Sequence, residues 1–447
     1  FDVEYERRII KSRKEAAAIV EDCGGKKGEI ARIDVREFQQ KPPVPFHLGA
    51  LQREAYSLFK YTPRRTADIA ERLYLEALIS YPRTSSQKLP ATINYQAILE
   101  SLGRESKYQK LTRILLEKKN LIPNEGKGYD PAHPAVYPTG NLPERKLSVP
   151  ERRVWDLVVR RFMAVFGEPA LKQSVKVSIN VNGHTFYLRG RRTLKEGWMI
   201  FYKPFIQTED VSLPPLKEGQ TVEVKEISWE QSFTKPPPRY NPSSLLKKME
   251  DESIGTKATR ADIIDTLYAR GYVSGDRAIV SELGLDIIEI LSKYCPEVIS
   301  VEFTRELEKS MENIQNGSEK LENVIEKAVN RLKPVLFRLK ENEKQVGQEL
   351  SEAIRETQMN RRILGSCPVC GTGKLIIMRS RRTGKRFVGC TNFFKHLCKT
   401  SFPLPQKGTV TPANKICNNC GFPMIRFKLK GRRPLTFCIN PECPGKT

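Results

Sequence analysis

The sequence predicts a multidomain α+β protein: a discontinuous strand-rich domain, two helical domains of winged-helix type, and two small zinc ribbons at the C-terminal end. Three observations carry this. Strand patterning at residues 1–40 resumes at 168–234, after a long helical interruption. Residues 41–81 return, without a gap, at 235–275. Eight of the ten cysteines fall in two matched sets within the last 81 residues. At 447 residues with 39% hydrophobic content, the chain is long enough for several buried cores.

Taken in order, residues 1–40 alternate apolar and polar side chains, as in GEIARIDVREF, and read as strands. Residues 41–167 are mainly helical. Residues 168–234 return to strands, with SVKVSINVNGHTFYLRG forming a hairpin around Asn182-Gly183, the dipeptide that suits a tight two-residue turn. Residues 235–345 are again helical. A linker is expected at 346–362, then ribbons at 363–403 and 413–447.

The repeat pairs Lys41-Pro42-Pro43 with Lys235-Pro236-Pro237, Leu51 with Leu245, Ala67-Asp68-Ile69 with Ala261-Asp262-Ile263, and Leu73-Tyr74 with Leu267-Tyr268. Each copy reads as a Pro-rich entry, a helix, a short turn, a second helix and a strand. In the first copy the second helix is expected to start near Thr66 as N-cap, with Asp68 in its first turn. Ile69, Ala70, Leu73 and Ala77 then share one face. This is helix-turn-helix order, and GDRAIVS after the second copy suggests a wing. Tyr81 falls opposite Gly275, so the scaffold itself does not require a large side chain there.

The formal charge is +24, from 76 basic and 52 acidic residues. A surplus of this size calls for a polyanion, and nucleic acid is the expected partner because bound cations release condensed counterions. A membrane is not expected: no apolar run approaches the roughly 18 residues that a spanning helix needs. The opening FDVEYERRIIKSRKE lacks the apolar centre of a secretion signal and an initiator Met, so Phe1 is expected to lie downstream of the natural start. The cysteine usage suggests a reducing, cytoplasmic setting.

Cys367, Cys370, Cys390 and Cys398 form one set; Cys417, Cys420, Cys438 and Cys443 form the other. Each offers two close thiolate pairs separated by a potential hairpin, the arrangement of a closed, structural Zn²⁺ site. Disulfides are the competing reading and suit secreted chains better. Cys23 and Cys295 read as ordinary thiols. Basic sequence between the ligands is interleaved with Phe387, Phe427 and Phe437, which suit either base stacking or a small core. No GxxxxGK[ST] phosphate loop is present.

The stretch LISYPRTSS, residues 78–86, follows a clean amphipathic helix. Pro82 holds Tyr81 extended and removes a ladder donor, marking an edge or terminal strand position. In an extended backbone Tyr81 and Arg83 share a face. A phenol beside a guanidinium is suited to attack a phosphodiester, with Arg gripping the non-bridging oxygens. The residues alone equally allow a half-buried strand tyrosine.

SYPRTSSQKLP resembles the active-site tyrosine segment of type IA DNA topoisomerases, most closely the topoisomerase III-like archaeal branch. PPVPFHLGALQREAY resembles the family's entry into that domain, DPAHPAVYPTG its histidine segment, and residues 236–273 its second helix-turn-helix region. The resemblance covers nearly the whole chain. It implies a toroidal core in which a strand-built arch bears the two helical domains. It implies that Tyr81 attacks single-stranded DNA and becomes linked to the 5′ side of the break, that Arg83 neutralises the phosphate, and that His133 hydrogen-bonds or shuttles charge beside it. Arg239, Thr259, Arg260 and Arg270 are implied DNA contacts; from their residue types alone, capping and solvated charge remain open. His47 and His184 are read as structural.

The implied activity is relaxation of negatively supercoiled DNA, or decatenation, through cleavage, strand passage and religation without ATP, by a nucleoid-associated protein. The family also carries a Mg²⁺-binding TOPRIM domain, and this sequence has no Asp-x-Asp cluster for it. The chain is therefore expected to need a TOPRIM-bearing part, fused upstream or supplied as a separate chain. A smaller departure is Ser85, where many members have Asp. The alternative is a non-catalytic, zinc-containing, single-stranded-DNA-binding protein on the same scaffold. A rolling-circle nickase would need a paired-histidine metal site, and a tyrosine recombinase would place its nucleophile after an Arg/His/Arg set.

Overall fold

A computed structural model of the chain describes residues 1–206, 210–429 and 431–445. The chain divides into two units, Phe1–Leu267 with Gly275–Ala278, and Tyr268–Ser274 with Ile279–Thr447. Each is built differently.

The first unit opens with β1 (Glu4–Tyr5), α1 (Arg13–Cys23) and the long β2 (Lys27–Gln40). The helix corrects the strand expectation for residues 1–40. RKEAAAIVEDC carries three consecutive alanines, Ser12 caps it by accepting from the Glu15 N–H, and Ala16, Ile19 and Cys23 are buried at helical spacing. Ile19 and Cys23 pack on Ile30, Val177, Ile179 and Leu188.

Five helices follow: α2 (Leu48–Phe59), α3 (Pro63–Leu75), α4 (Tyr95–Leu102), α5 (Ser106–Leu116) and α6 (Val149–Ala164). Their apolar faces, including Leu51, Ile69, Leu73, Leu99, Tyr108, Val158 and Phe162, form one core. Helix α3 begins earlier than the sequence suggested. Thr62, not Thr66, is the cap, accepting from the Arg65 N–H, and Pro63 fills the first helical position, where a missing N–H costs nothing. Thr66 is buried inside the helix and donates back to the Thr62 carbonyl at 3.1 Å.

Strands β3 (Ala170–Val181) and β4 (His184–Lys195) form the expected hairpin, with Asn182 and Gly183 at φ 51° and 87° in the left-handed region. A short helix α7 (Met199–Tyr202) and strand β5 (Thr221–Glu223) complete a five-stranded antiparallel sheet in the order β1-β4-β3-β2-β5.

The second repeat copy supplies α8 (Pro242–Asp251), capped by Asn241, and α9 (Arg260–Ala269), which passes into the second unit at Tyr268. In the alignment that pairs Lys41 with Lys235, the first residues of α2 and α8 coincide. These two equivalent helices pack on each other. Arg53 pairs with Glu250 across the contact. Arg64 lies between Asp68, at 3.0 Å, and Asp262, its repeat equivalent. One cation thus meets the same aspartate from both copies.

In the second unit, α9 is followed by a hairpin of β6 (Val273–Ser274) and β7 (Ile279–Val280), then α10 (Glu282–Tyr294), α11 (Val301–Gln315), α12 (Leu321–Glu341) and α13 (Glu343–Asn360). Most of the expected linker is helical, since α13 runs to Asn360 and packs on α10. Strands β8 (Ile363–Ser366), β9 (Lys374–Arg379), β10 (Arg386–Cys390) and β11 (Ser401–Pro403) form one sheet. Strands β12 (Thr409–Ile416), β13 (Pro423–Lys428) and β14 (Leu435–Cys438) form another. Leu364, Leu375, Val388 and Leu404 from the first ribbon join Ile425 and Ile439 from the second in one core. Among the described residues, no helix is long and apolar enough to cross a membrane.

Candidate active site

Tyr81 sits on a short extended segment locked to the chain around His133. Ile79 bridges Pro138, the Ser80 N–H donates to the Tyr137 carbonyl at 2.9 Å, and Ser80 Oγ donates to the Ala135 carbonyl at 3.2 Å. On the far side of Pro82, Thr84 Oγ1 donates to the His133 carbonyl at 3.1 Å. Tyr81-Pro82-Arg83 is therefore a three-residue span pinned at both ends, with the Thr84 N–H closing back on the Pro82 carbonyl at 2.9 Å.

Helix α3 receives the side chains at both ends of the span. The Tyr81 ring meets Tyr74 edge-on, centroids 5.2 Å apart, and Arg83 donates to Glu71 at 3.0 Å. Glu71 and Tyr74 are one helical turn apart, so Tyr81 and Arg83 point to the same side. The His133 ring lies 4.6 Å from that of Tyr81. The structure thus brings together Tyr81, Arg83 and His133.

Residues from the second helix-turn-helix copy come to the same neighbourhood. Lys257, in the turn before α9, pairs with Asp130. Lys257 and Arg260 line a cavity of about 210 Å³ with His47, Gln52, Thr84 and Ser85. Arg260 is braced by donation to the Ile254 carbonyl at 3.0 Å, and Thr259 Oγ1 accepts from the Thr256 N–H at 2.9 Å. His47 is pushed down to about 4 by burial and then by Arg53, Arg260 and Lys247, so it is neutral at neutral pH. Arg239 stands on the exposed irregular stretch before α8, and Arg270 is exposed in the turn after α9.

The cysteines form two tetrads, each with its sulfur atoms within 4.8 Å of one another. Cys367–Cys398 and Cys370–Cys390 are 3.9 and 3.6 Å apart; Cys417–Cys443 and Cys420–Cys438 are 3.6 and 3.4 Å apart. Four thiolates about 2.3 Å from a tetrahedral Zn²⁺ lie roughly 3.8 Å apart, so both tetrads fit the ion. Both CxxC turns are closed alike, with the Gly371 N–H donating to the Cys367 carbonyl and the Gly421 N–H to the Cys417 carbonyl, each at 2.9 Å. Both glycines have positive φ, 68° and 70°. Phe387, Phe427 and Phe437 are all half-buried, and Phe437 packs on the shared core.

A family model described as DNA topoisomerase matches residues 2–326. The chain belongs to the type IA DNA topoisomerases. It is 44% identical over 99% of its length to DNA topoisomerase 1 of Pyrococcus horikoshii, and 41% identical over 99% to that of Methanothermobacter thermautotrophicus. It spans 64% and 60% of those relatives' lengths. Its fold is similar to full-length topoisomerase I from Thermotoga maritima, with a TM-score of 0.59 over 91% of this chain and 64% of that one, at 19% identity.

Within this topoisomerase fold, the sheet carries a cationic face. Directly paired residues share a face, which places Arg32, Arg36, Lys172, Lys176, Arg189 and Arg191 together on β2, β3 and β4. Lys176 stacks 3.6 Å from the centre of the Tyr187 ring.

Sequence reasoning passed over Asp130, Lys257, Glu71 and Tyr74. Asp130 had a local signal, since Asp three residues before His133 caps its own turn, accepting from the Ala132 and His133 N–H groups. Lys257 had none. Of the carboxylates packed about the Tyr81 span, Asp130 pairs with Lys257 and Glu71 with Arg83. Among the described residues, only the cysteine tetrads group three or more potential metal ligands.

Proposed function

We propose that this chain carries the cleavage and religation residues of a type IA topoisomerase. Tyr81 Oη attacks a phosphorus of single-stranded DNA. A tyrosyl O–P bond forms, the P–O3′ bond breaks, the phenol loses its proton and the departing 3′ oxygen gains one. The 5′ end remains on the protein, and the reverse step restores phosphodiester and phenol without ATP. Arg83 moves from Glu71 to the phosphate, and His133 hydrogen-bonds the phosphate or passes the proton.

The observation that carries this reading is the pinned span that presents Tyr81 against His133 while holding Arg83 on the same side. Thr259, Arg260, Arg239 and Arg270 grip the strand on the winged-helix-like second copy, the basic sheet face serves as the arch, and the zinc ribbons hold flanking single strand. Mg²⁺ enters with a TOPRIM part, on the same polypeptide or on a second chain. The substrates are negatively supercoiled or linked DNA with single-stranded regions.

The test is denaturing electrophoresis of 3′-end-labelled single-stranded DNA incubated with the protein, the TOPRIM part and Mg²⁺. Label should travel with the protein, and Tyr81→Phe should abolish this while retaining DNA binding. Adducts that persist in Tyr81→Phe would overturn the assignment.

A further inference from the structure

Asp130 is the most heavily engaged buried carboxylate near Tyr81, its side chain 3% exposed. One oxygen accepts from the N–H groups of Ala132 and His133 at 3.1 and 3.3 Å. The other accepts from the Ser85 N–H at 3.2 Å, pairs with the Lys257 ammonium, and lies 3.3 and 3.4 Å from Ser85 Oγ and Thr84 Oγ1, whose protons it shares with the Tyr129 and His133 carbonyls. The first oxygen therefore holds the histidine's own backbone. The second holds the chain that leaves Tyr81 through Pro82 and Arg83. Lys257, the ion-pair partner of Asp130 among the described residues, comes from the second helix-turn-helix copy, two residues before Thr259 and three before Arg260.

Burial alone pushes this carboxyl up, but the Lys257 ammonium and the Ser85 and Ala132 amides outweigh it and keep it well below the usual carboxylate range. An anion is what this environment requires. The Ala132, His133 and Ser85 amides and the Lys257 ammonium can only donate, and a neutral amide would turn its N–H₂ group against some of them. Replacing a buried acceptor this way leaves donors unsatisfied on one of the two segments it joins.

We propose that Asp130 is a positioning residue that sets the geometry of Tyr81 and His133, and that Lys257 makes this setting depend on the second helix-turn-helix copy. The inference rests on the reading of Tyr81 as nucleophile and adds a route by which strand binding reaches it. A DNA backbone taken up by the turn at 256–260 moves Lys257. Lys257 bears on Asp130, and Asp130 holds both the histidine backbone and the tyrosine span. Asp130 itself touches neither reacting group.

The test is single-turnover cleavage of a labelled single-stranded oligonucleotide at saturating DNA, with the TOPRIM part and Mg²⁺ present and affinity measured separately by anisotropy. Asp130→Asn should lower the cleavage rate constant by about 10- to 100-fold, the usual result of a misplaced reacting group, with affinity and melting temperature retained. Lys257→Met should lower it less, and the double variant should be no slower than Asp130→Asn alone, because the two act as one link. A wild-type rate in Asp130→Asn, a loss confined to affinity, or losses that add in the double variant would overturn the proposal.

If Asp130→Asn melts early, Lys257→Met decides alone, and a wild-type rate there overturns the link. A second readout does not depend on catalysis. His133 ring resonances, shifted by the adjacent Tyr81 ring, should move in Asp130→Asn without DNA. Unmoved resonances overturn the positioning role. Absence of any adduct in the unsubstituted protein would instead remove the Tyr81 reading.

Discussion

Glu71 accepts from Arg83 at 3.0 Å, so the guanidinium proposed to meet the scissile phosphate is held by a carboxylate when no DNA is bound. A phosphate must displace that carboxylate. The two side chains are 48% and 38% exposed, which puts the pair among solvent-screened ion pairs worth about 0–1 kcal/mol. Glu71→Gln should therefore tighten binding of a short single-stranded oligonucleotide by about two- to fivefold, roughly 0.5–1 kcal/mol. Fluorescence anisotropy at fixed salt measures this. Weaker binding would mean that Glu71 orients Arg83 for DNA rather than competing with it.

His47 gives the first unit a pH dependence of its own. Its ring is pushed from 6.5 down to about 4, first by burial and then by Arg53, Arg260 and Lys247. A folded-state value below the unfolded one means that the unfolded chain binds the extra proton. Stability is complete above pH 6.5 and falls as pH drops from 6.5 towards 4. His47→Gln should flatten the melting-temperature profile over that interval and leave the steeper carboxylate limb below it. An unchanged slope between pH 6.5 and 4.5 would count against the buried neutral ring.

Thr62 caps the helix that carries both Glu71 and Tyr74. Thr62→Ala should cost about 1 kcal/mol, the usual loss when an N-cap hydroxyl is removed, and Thr62→Ser should restore most of it. Chemical denaturation followed by circular dichroism reads both. Equal stability of the Ala and Ser variants would show that the hydroxyl contributes nothing to the helix start.

Patterns local in the chain were legible in the sequence, and contacts between distant residues were not. The restricted backbone beside Tyr81 was legible because proline limits its neighbours locally, but the bend at Pro82 and the tight turn that brings the Thr84 N–H onto the Pro82 carbonyl replace the extended run expected through Arg83. The copies containing α2 and α8 were legible because their residues align without a gap, and the cysteines because ligand spacing is a local pattern. The start of α3 lies one turn before the expected Thr66: Thr62 caps it, Pro63 opens it, and Thr66 is buried inside the helix. Helix α1 was missed beside alternating β2 sequence. The Asp130–Lys257 pair joins residues 127 positions apart, and no periodicity records such a contact. The cationic sheet face likewise depends on β2 meeting β3, as Arg36 does Ser174, across the whole first helical domain.

With Zn²⁺ in both cysteine tetrads, the two ribbons should lose stability together. Their sheets are separate, yet Leu364, Val388 and Leu404 on one side and Ile425 and Ile439 on the other close a single core, and Cys367, Cys390 and Cys398 are buried in it. Removing one ion from such a body withdraws metal-binding free energy on the order of 10 kcal/mol and loosens apolar surface shared with the neighbour. Cys438→Ser, in the second ribbon, should reduce bound zinc from two ions per chain to one. It should also speed amide exchange in β9, which belongs to the first ribbon and contains no substituted residue. A dithiol-competent chelator should release both ions in one transition from the unsubstituted protein. Exchange in β9 unaffected by Cys438→Ser, with zinc reduced by one, would show two ribbons that touch without depending on each other.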